Sequence, residues 1–390
     1  MGIPFDGPVN EKPKILIIGA GIGGLTAGIA LRQAGFAIEV FERAAEMREV
    51  GAGIALSPNA MRALNYLGVM QPVVERGTVL EAVISYTSRG GIISSLSTRQ
   101  TDRPNVSLHR ADLQKVLASA LPPDCVHPGE ELVSIQSSDS DVTAHFASGH
   151  SVSGDALIGA DGLRSRVRAQ LIGDGKPIYR GYQCWRGVCP HPAGNVLTET
   201  FGPGVRMGVV PIGPRGTAWW CCANETESAS DDPESAKGKL QRWVGNWHPP
   251  IPAVIAATDP SAIIKTAIYD RASVKKWSKG LCTLLGDAAH PTTPNMGQGG
   301  CMAIEDAIVL TRCLSHYGDP VAAFRAYERL RYSRTTTVTR ISRHYGAIGQ
   351  WEKPLAGWFR ETLLRLGSGK AATRGYLKFV NYDCTKASIP

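Results

Sequence analysis

The segment that most constrains the fold opens at Lys14. Lys14–Ile18 is a short apolar run that ends in Gly19-Ala20-Gly21-Ile22-Gly23-Gly24. Leu25, Ile29 and Leu31 follow at helical spacing up to Gly35, and Phe36–Phe41 is a second apolar run closed by Glu42-Arg43. Strand, glycine turn, helix and strand in that order form a βαβ unit with parallel strands, because the helix carries the chain back along the sheet. In the Gly19-x-Gly21-x-x-Gly24 spacing, the first glycine permits the tight turn. The second lets backbone N–H groups reach a pyrophosphate, and the third lets helix and strand close on each other. The helix N-terminus adds unpaired donors and partial positive charge. Glu42, ending the second strand, is placed to accept hydrogen bonds from ribose hydroxyls. The fingerprint indicates a dinucleotide but does not choose between NAD and FAD; a tight turn without a ligand is the alternative that its context disfavours.

The rest of the chain alternates in the same way, then changes character. Val106–His109 reads as a strand and Ala111–Leu121 as a helix. Leu132–Ile135, Val142–Phe146 and Ser151–Ser153 read as sheet strands with a turn at Ser148-Gly149, and Ala156–Gly159 is a buried apolar strand. From about Ile178 to Ile268, Tyr182, Trp185, Val188, Phe201, Val209, Val210, Trp219 and Trp220 predict a second, mainly antiparallel sheet. One helix, marked by Leu240, Trp243, Val244 and Trp247, interrupts it. Leu281–Leu285 is another strand, Gly299–Leu314 a helix, and the remainder reads as helical. In Arg325–Arg343 the apolar side is expected to be Phe324, Tyr327, Leu330, Val338 and Ile341, with the arginines solvated.

Composition removes several function classes. A chain of 390 residues with 43% hydrophobic and 19% charged residues fits one or two ordinary globular domains. No apolar run reaches bilayer length. Met1–Pro13 lacks the pattern of a secretion signal, and Asp6 stands where a myristoylation signal wants Ser or Thr, so a cytoplasmic location is expected. The nine cysteines are odd in number and include no C-x-x-C pair, so they are expected as buried, reduced thiols. The histidines include no H-E-x-x-H, and no metal site is predicted. The net charge of +8 is read as a field that gathers anionic cofactors and substrates, since no nucleic-acid module is recognisable.

Two later segments narrow the cofactor. Gly159-Ala160-Asp161-Gly162 and Gly286-Asp287-Ala288-Ala289-His290-Pro291 each set an aspartate at the end of an apolar strand. An N-terminal G-x-G-x-x-G, a central D-G and a G-D before a long helix, in this order, resemble the class A flavoprotein monooxygenases, the p-hydroxybenzoate hydroxylase-like family, over nearly the whole chain. The resemblance implies an α/β fold: a Rossmann-like FAD-binding domain over 1–75, 104–177 and 275–316, an inserted antiparallel substrate-binding domain over 76–103 and 178–274, and a C-terminal helical region over 317–390. It implies noncovalent FAD, its ADP half held by Gly19, Ala20, Gly21, Ile22, Gly23, Gly24, Glu42 and Arg43, with Gly53 and Leu132 also among the cofactor-binding positions. Arg110 would lie beside the pyrophosphate and ribityl chain. Asp161 would serve both FAD and the nicotinamide cofactor, and Asp287 the ribityl chain or its phosphate region. Taken singly, strand-end aspartates often cap helices, and Arg110 has an ordinary reading as a surface ion pair. Pro294, Gly297, Gln298, Gly299 and Gly300 would line the flavin, where a helix N-terminus stabilises the anionic reduced ring.

The implied reaction is that of a single-component monooxygenase. NAD(P)H, a transient co-substrate without a domain of its own, reduces FAD, and O2 adds at flavin C4a to give a hydroperoxide that hydroxylates a small electron-rich aromatic or N-heteroaromatic substrate. A dry site matters, because water lets that oxidant decay. No catalytic residue is assigned. Gly181-Tyr182-x-x-Trp185-Arg186-Gly187 is similar to a segment of salicylate hydroxylase-like enzymes and FAD-dependent urate hydroxylases. Trp185, Arg206, Trp219, Pro294 and Met296 are the substrate candidates, with Arg206 suited to clamp a carboxylate or enolate-like oxygen. The tyrosine that the urate hydroxylases carry on the next strand is replaced by Ala218 or Trp219, which argues against urate itself. Two alternatives stay open. One is an epoxidase or tailoring oxygenase acting on an isoprenoid or polyketide, as in the similar zeaxanthin epoxidases, with Pro354–Leu366 as an amphipathic surface segment. The other is an FAD-dependent reductase that inserts no oxygen. The expected partner is a small-molecule substrate, without nucleic acid or an obligatory membrane, and the chain is expected to be a monomer or weak homodimer.

Overall fold

The structure, a computed structural model, describes residues 12–46, 52–366 and 370–390. The expectations that rest on residues 1–11 lie outside it. Five parallel strands form its centre, in the order Cys282–Leu284, Ala156–Gly159, Lys14–Ile18, Ala37–Glu42 and Val126–Pro128. Ile15, Leu16, Ile17, Leu157 and Ile158 are fully buried, as strands covered on both faces require.

Register decides what this sheet positions. Ile18 is opposite both Phe41 and Gly159, and Gly159 is opposite Leu284. The three glycine–acid segments therefore leave neighbouring strands at the same edge, the carboxyl ends, where open α/β sheets bind ligands. The fingerprint helix Ile22–Gln33 crosses the helix Gly299–Tyr317 at close range: a Cβ on Gly23 would lie 2.6 Å from Leu285 Cδ2 and 3.2 Å from Ala303 Cβ.

Two three-stranded antiparallel sheets flank this centre, one from Leu132–Ser137, Val142–Phe146 and Ser151–Gly154, the other from Gly53–Leu56, Asn105–His109 and Thr78–Leu80. A seven-stranded sheet runs Ile264–Asp270, Ile178–Cys189, Thr217–Asn224, Val205–Pro211, Val196–Phe201, Ala82–Thr87 and Ile92–Ser97. Its pairings are antiparallel except where Val196–Phe201 meets Ala82–Thr87. Because Thr78–Leu80 still pairs with Asn105–His109, the chain passes into the large sheet only at Glu81. Pro233–Val244, capped by the Asp232 side chain on the Ser235 N–H, and Ile251–Ala257 cover the outer face of the large sheet.

The long C-terminal helix spans Pro320–Gly349 and corrects one expectation. Phe324, Tyr327 and Val338 are buried, and Arg325, Arg329 and Arg340 are exposed. Arg331, however, is fully buried. It pairs with Glu305 at 2.7 Å and Asp306 at 2.6 Å, two carboxylates on the preceding helix that offset the cost of burying its charge. Arg334 and Arg343 also turn inward, to Glu305 and Asp270. All nine cysteines are buried and free. Among the described residues, no helix is long and apolar enough to cross a membrane.

Candidate active site

The turn after Lys14–Ile18 forms a cradle with one side left open. Gly19 takes a φ of +106°, which L side chains rarely adopt, and a Cβ there would stand 2.6 Å from the Ala160 carbonyl oxygen. A Cβ on Gly24 would lie 1.9 Å from the Gly19 carbonyl oxygen, so helix and turn touch backbone to backbone. At Gly21 a Cβ would meet no protein atom within 4 Å. Gly21 is also the N-cap of the helix and brings no side chain to its first turn. That open side, lined by unpaired donors, suits a pyrophosphate. Glu42 is fixed by the Ala20 N–H at 2.9 Å and the Ala44 N–H at 3.1 Å, and its remaining lone pairs are those that ribose hydroxyls would use.

The two aspartates lie at the adjacent strand ends. Asp161 accepts the Arg166 N–H at 2.7 Å and the Val167 N–H at 3.3 Å through Oδ2, while Oδ1 is buried without a partner. Burial pushes its carboxyl up, against the pull of these bonds. Asp287 is exposed at its tip yet closely surrounded by protein, and burial again raises its carboxyl, with His290 and Arg110 pulling the other way. Its Oδ1 would stand 3.8 Å from a Cβ on Gly299, beside the first turn of Gly299–Tyr317. Gly297, at φ +61°, would point a Cβ into open space, and a Cβ on Gly300 would meet Ile54 and Ile22. An orphaned acceptor, an exposed carboxylate and glycines that leave backbone bare together fit a hydroxyl-rich, flat, anionic cofactor.

A buried ion network holds this wall in place. Asp306 accepts from His290 Nε2 at 2.6 Å, from the Gly286 N–H at 3.1 Å and from Arg331. Burial opposes its ionisation, but His290 and Arg331 outweigh that and hold the carboxyl down to about 2. Glu305 binds Arg331, Arg334 and Asn59 Nδ2, and the same Asn59 nitrogen lies 3.1 Å from Gln298 Oε1. Gln298 also donates to Ser57 Oγ at 3.0 Å, which fixes the residue that precedes the helix.

The face that the large sheet turns towards this wall is set by the alternation of its strands. Tyr182, Cys184 and Arg186 share one face with Arg206, Gly208, Trp220 and Cys222. Facing them is the turn Pro294–Met296, joined through Asn295. Asn295 accepts from Arg206, and its Nδ2 donates to Thr293 Oγ1 at 2.8 Å and to the Ser342 carbonyl at 2.7 Å. Arg206 is 1% exposed and gives Nε to Gln350 at 3.1 Å and another nitrogen to Glu199 at 3.0 Å. Tyr345 completes the group by donating to Glu199 at 2.7 Å. Burial pushes the Tyr182 phenol up to about 12, so it acts as a neutral hydrogen-bond donor. A buried cation and a buried phenol over a glycine-lined turn are equipped to orient a polar or anionic ring.

Comparison with known proteins agrees with this geometry. Residues 12–342 match the family model described as FAD binding domain. The aurachin C monooxygenase/isomerase of Stigmatella aurantiaca is 44% identical over 94% of this chain and 98% of its own. The 6-hydroxynicotinate 3-monooxygenase of Pseudomonas fluorescens is 31% identical over 86% of this chain and 91% of its own. Among solved structures, Klebsiella pneumoniae HpxO complexed with FAD and uric acid superposes with a TM-score of 0.89 at 29% identity, covering 94% of this chain and 96% of the other. The chain belongs to the class A FAD-dependent monooxygenases.

FAD is the cofactor of this monooxygenase, with NAD(P)H and O2 as co-substrates. Gly19 through Gly24, Glu42, Asp161, Asp287, Gln298, Gly299 and Gly300 come together along one edge of the sheet. Arg43 and Arg110 stand exposed near it, and Arg110 acts on Asp287. Gly53 has a packing reason of its own, since a Cβ there would lie 2.7 Å from Ala218 Cβ; Leu132 turns its side chain into the core. Pro294 is exposed and Met296 half-buried on the turn above the helix.

Trp185 and Trp219 must be corrected: neither lies on the sheet face that carries Arg206 and Tyr182. Both are fully buried on the opposite face of the sheet, Trp185 bonded to Asp231 at 3.0 Å and Trp219 to Thr258 at 2.8 Å. They lie one residue out of phase with Arg186 and Trp220. Conversely, Asn295, Glu199, Gln350 and Tyr345 were not singled out in the sequence. Asn295 at least stood inside the glycine-rich segment, and Glu199 as an acid among β-formers carried a faint signal.

Proposed function

We propose that this monooxygenase hydroxylates a small, flat, electron-rich aromatic or nitrogen-heteroaromatic compound, held between the flavin-side turn and the polar face of the large sheet. One observation carries the reading: Asn295 binds Arg206 on the sheet, and two residues later the same turn enters Gly297–Gly300. A ring held by Tyr182 and Arg206 would thereby lie next to the cofactor wall. The relative named for 6-hydroxynicotinate and the solved structure that holds uric acid support a substrate with a heteroaromatic ring.

When bound, FAD supplies the redox chemistry that uses NAD(P)H and O2. The chain does the rest. The N-terminus of Ile22–Gln33 receives the pyrophosphate and Glu42 the ribose. Asp161 and Asp287 accept from cofactor hydroxyls. The first turn of Gly299–Tyr317 sets positive potential at the ring. Arg206 and Tyr182 orient the substrate's oxygen or carboxylate, while the sheet and Pro320–Gly349 keep water out. We assign FAD binding to 1–80, 104–177 and 275–316, and substrate binding to 81–103 and 178–274, the first boundary moved to where the chain enters the large sheet. We place the protein in the cytoplasm as a monomer or weak homodimer.

The test is oxygen uptake with NADH and with NADPH across phenols, N-heteroaromatics, polyketides and isoprenoids, with product masses. The expected result is stimulated uptake and one added oxygen atom for a phenol or N-heteroaromatic. Oxygen-independent turnover, or oxygen added only to a polyketide or isoprenoid, overturns the reading.

A further inference from the structure

Pro354–Leu366 is a helix with its apolar side outward. Leu355, Trp358, Phe359, Leu363 and Leu366 are 82, 66, 54, 47 and 79% exposed. Their spacing of three and four residues forms one stripe along the helix. Among the described residues eleven large hydrophobics stand exposed, and these five are concentrated on one thirteen-residue helix. The other six are scattered, which is ordinary for a protein surface. A continuous stripe is not.

The helix is locked in this orientation. Arg360, on its inner side, is 2% exposed and donates to the carbonyls of Gly202 at 3.3 Å and Gly349 at 3.2 Å. Its guanidinium also lies 5.2 Å from the centre of the Phe201 ring. Rolling the stripe inward would bury leucines only by stripping these bonds from a charged group, so the outward face is a fixed feature of the fold.

Charge surrounds the stripe. Lys353 and Arg365 are exposed at its two ends. The next helix, Lys370–Val380, packs on the same edge strand, Ile92–Ser97, and carries exposed Arg374 and Lys378. Across residues 353–380 the sequence has six basic residues, of which Arg360 is the buried one, and a single acid, Glu361, 3.9 Å from Arg365.

We propose that this face docks on an anionic lipid bilayer: the leucines and aromatics enter the boundary between headgroups and acyl chains, and the lysines and arginines meet the phosphates. Aromatic and leucine residues opposite a basic rim are what such a surface binds. A second copy fits less well, because a symmetric contact would bring two basic rims together, on a chain that already carries +8.

The experiment is flotation of the FAD-loaded enzyme with vesicles of phosphatidylcholine, with and without about one-third phosphatidylglycerol. The wild type is expected to float with the anionic vesicles, at least about tenfold more than with neutral ones, and to be released by high salt. Leu355→Ser/Leu366→Ser is expected to stay in solution while keeping its flavin absorbance and its NAD(P)H oxidation, which shows that it is folded. Lys353→Gln/Lys378→Gln is expected to lose the preference for anionic vesicles. No flotation, or equal flotation with both vesicles, overturns the proposal. So does a dimer in solution that the Leu355→Ser/Leu366→Ser variant dissociates, since the stripe is then covered by a second copy.

Discussion

The amide of Asn295 meets the hydroxyl of Tyr182, with Nδ2 at 3.0 Å and Oδ1 at 3.2 Å. The contact joins two parts of the monooxygenase that the chain separates widely, a turn above the flavin wall and a strand of the large sheet. Gly346 of the long helix makes room for it: a Cβ there would lie 2.3 Å from Asn295 Nδ2 and 2.9 Å from the Tyr182 oxygen. The large sheet and the glycine-rich turn are thus tied by one side chain, whose removal has a definite consequence.

Asn295→Ala takes the oxygen acceptor from one Arg206 nitrogen and from the Tyr182 hydroxyl, while Arg206 keeps Gln350 and Glu199. Orphaning a buried polar group costs about 1–3 kcal/mol, or roughly tenfold in an equilibrium constant. We expect the KM for the aromatic substrate to rise about tenfold, with less product formed per NAD(P)H oxidised, while FAD content is unchanged. Steady-state kinetics, product yield and flavin absorbance read this out. Unaltered KM and coupling would remove Asn295 from the substrate chamber.

Two glycines of the fingerprint separate folding from binding. Gly24→Ala sets a methyl 1.9 Å from a backbone oxygen that cannot move without opening the turn. It should lower the melting temperature of the apo-protein, by the roughly 1–3 kcal/mol of an overpacked core, and also abolish FAD retention. Gly21→Ala meets no protein atom and keeps an ordinary φ of −73°. Its apo-protein should melt like the wild type yet bind FAD at least about tenfold more weakly, because the methyl stands where the pyrophosphate approaches. Melting of both apo-proteins and FAD titration by fluorescence test the pair. A Gly21→Ala protein with normal FAD affinity would refute the placement.

Much of this site was legible in the sequence, for a physical reason. Strands buried on both faces read as unbroken apolar runs, so Lys14–Ile18 and Ala156–Gly159 are found with their bounds as expected. Parity was harder. Along Ile178–Cys189 large residues occupy both faces, and nothing local distinguishes Tyr182 from Trp185. The outer face is decided by Pro233–Val244 packing beneath Trp185, and the inner face by Asn295, which is 113 positions from Tyr182. Arg331 was expected in solvent because its partner Asp306 lies 25 residues away on another helix. Long-range electrostatic pairing leaves no periodic trace.

That ion network should set the response to acid. Asp306 is held at about 2 in the fold, against an ordinary value of 3.8. A carboxyl depressed on folding contributes stability that is complete above its unfolded value and lost as pH falls through its folded one. The window is therefore about pH 4 down to 2. Asp306→Asn should lose about 2 kcal/mol less than wild type over that range, read from urea unfolding at each pH. Arg331→Met is expected to cost about 3–5 kcal/mol at neutral pH, since it leaves Glu305 and Asp306 buried without their shared cation. Equal acid slopes for wild type and Asp306→Asn would refute the assignment.

Asp287 should behave in the opposite sense. Burial raises its carboxyl, so the folded chain without cofactor holds the proton more tightly than the unfolded chain does. Ionised Asp287 then costs stability at neutral pH, and the cost fades as pH falls and the carboxyl protonates in both states. Asp287→Asn should accordingly raise the melting temperature of the apo-protein at pH 7, with a gain that shrinks towards pH 4. The same change replaces a charged acceptor by an amide at the cofactor's hydroxyls, where charge-assisted bonds are roughly twice as strong, so FAD should bind about five- to tenfold more weakly. Melting curves of the two apo-proteins at both pH values, with FAD titration, measure the two effects separately. A variant that melts lower at pH 7, or that keeps its FAD with wild-type affinity, would mean that Asp287 is held for the fold and not for the flavin.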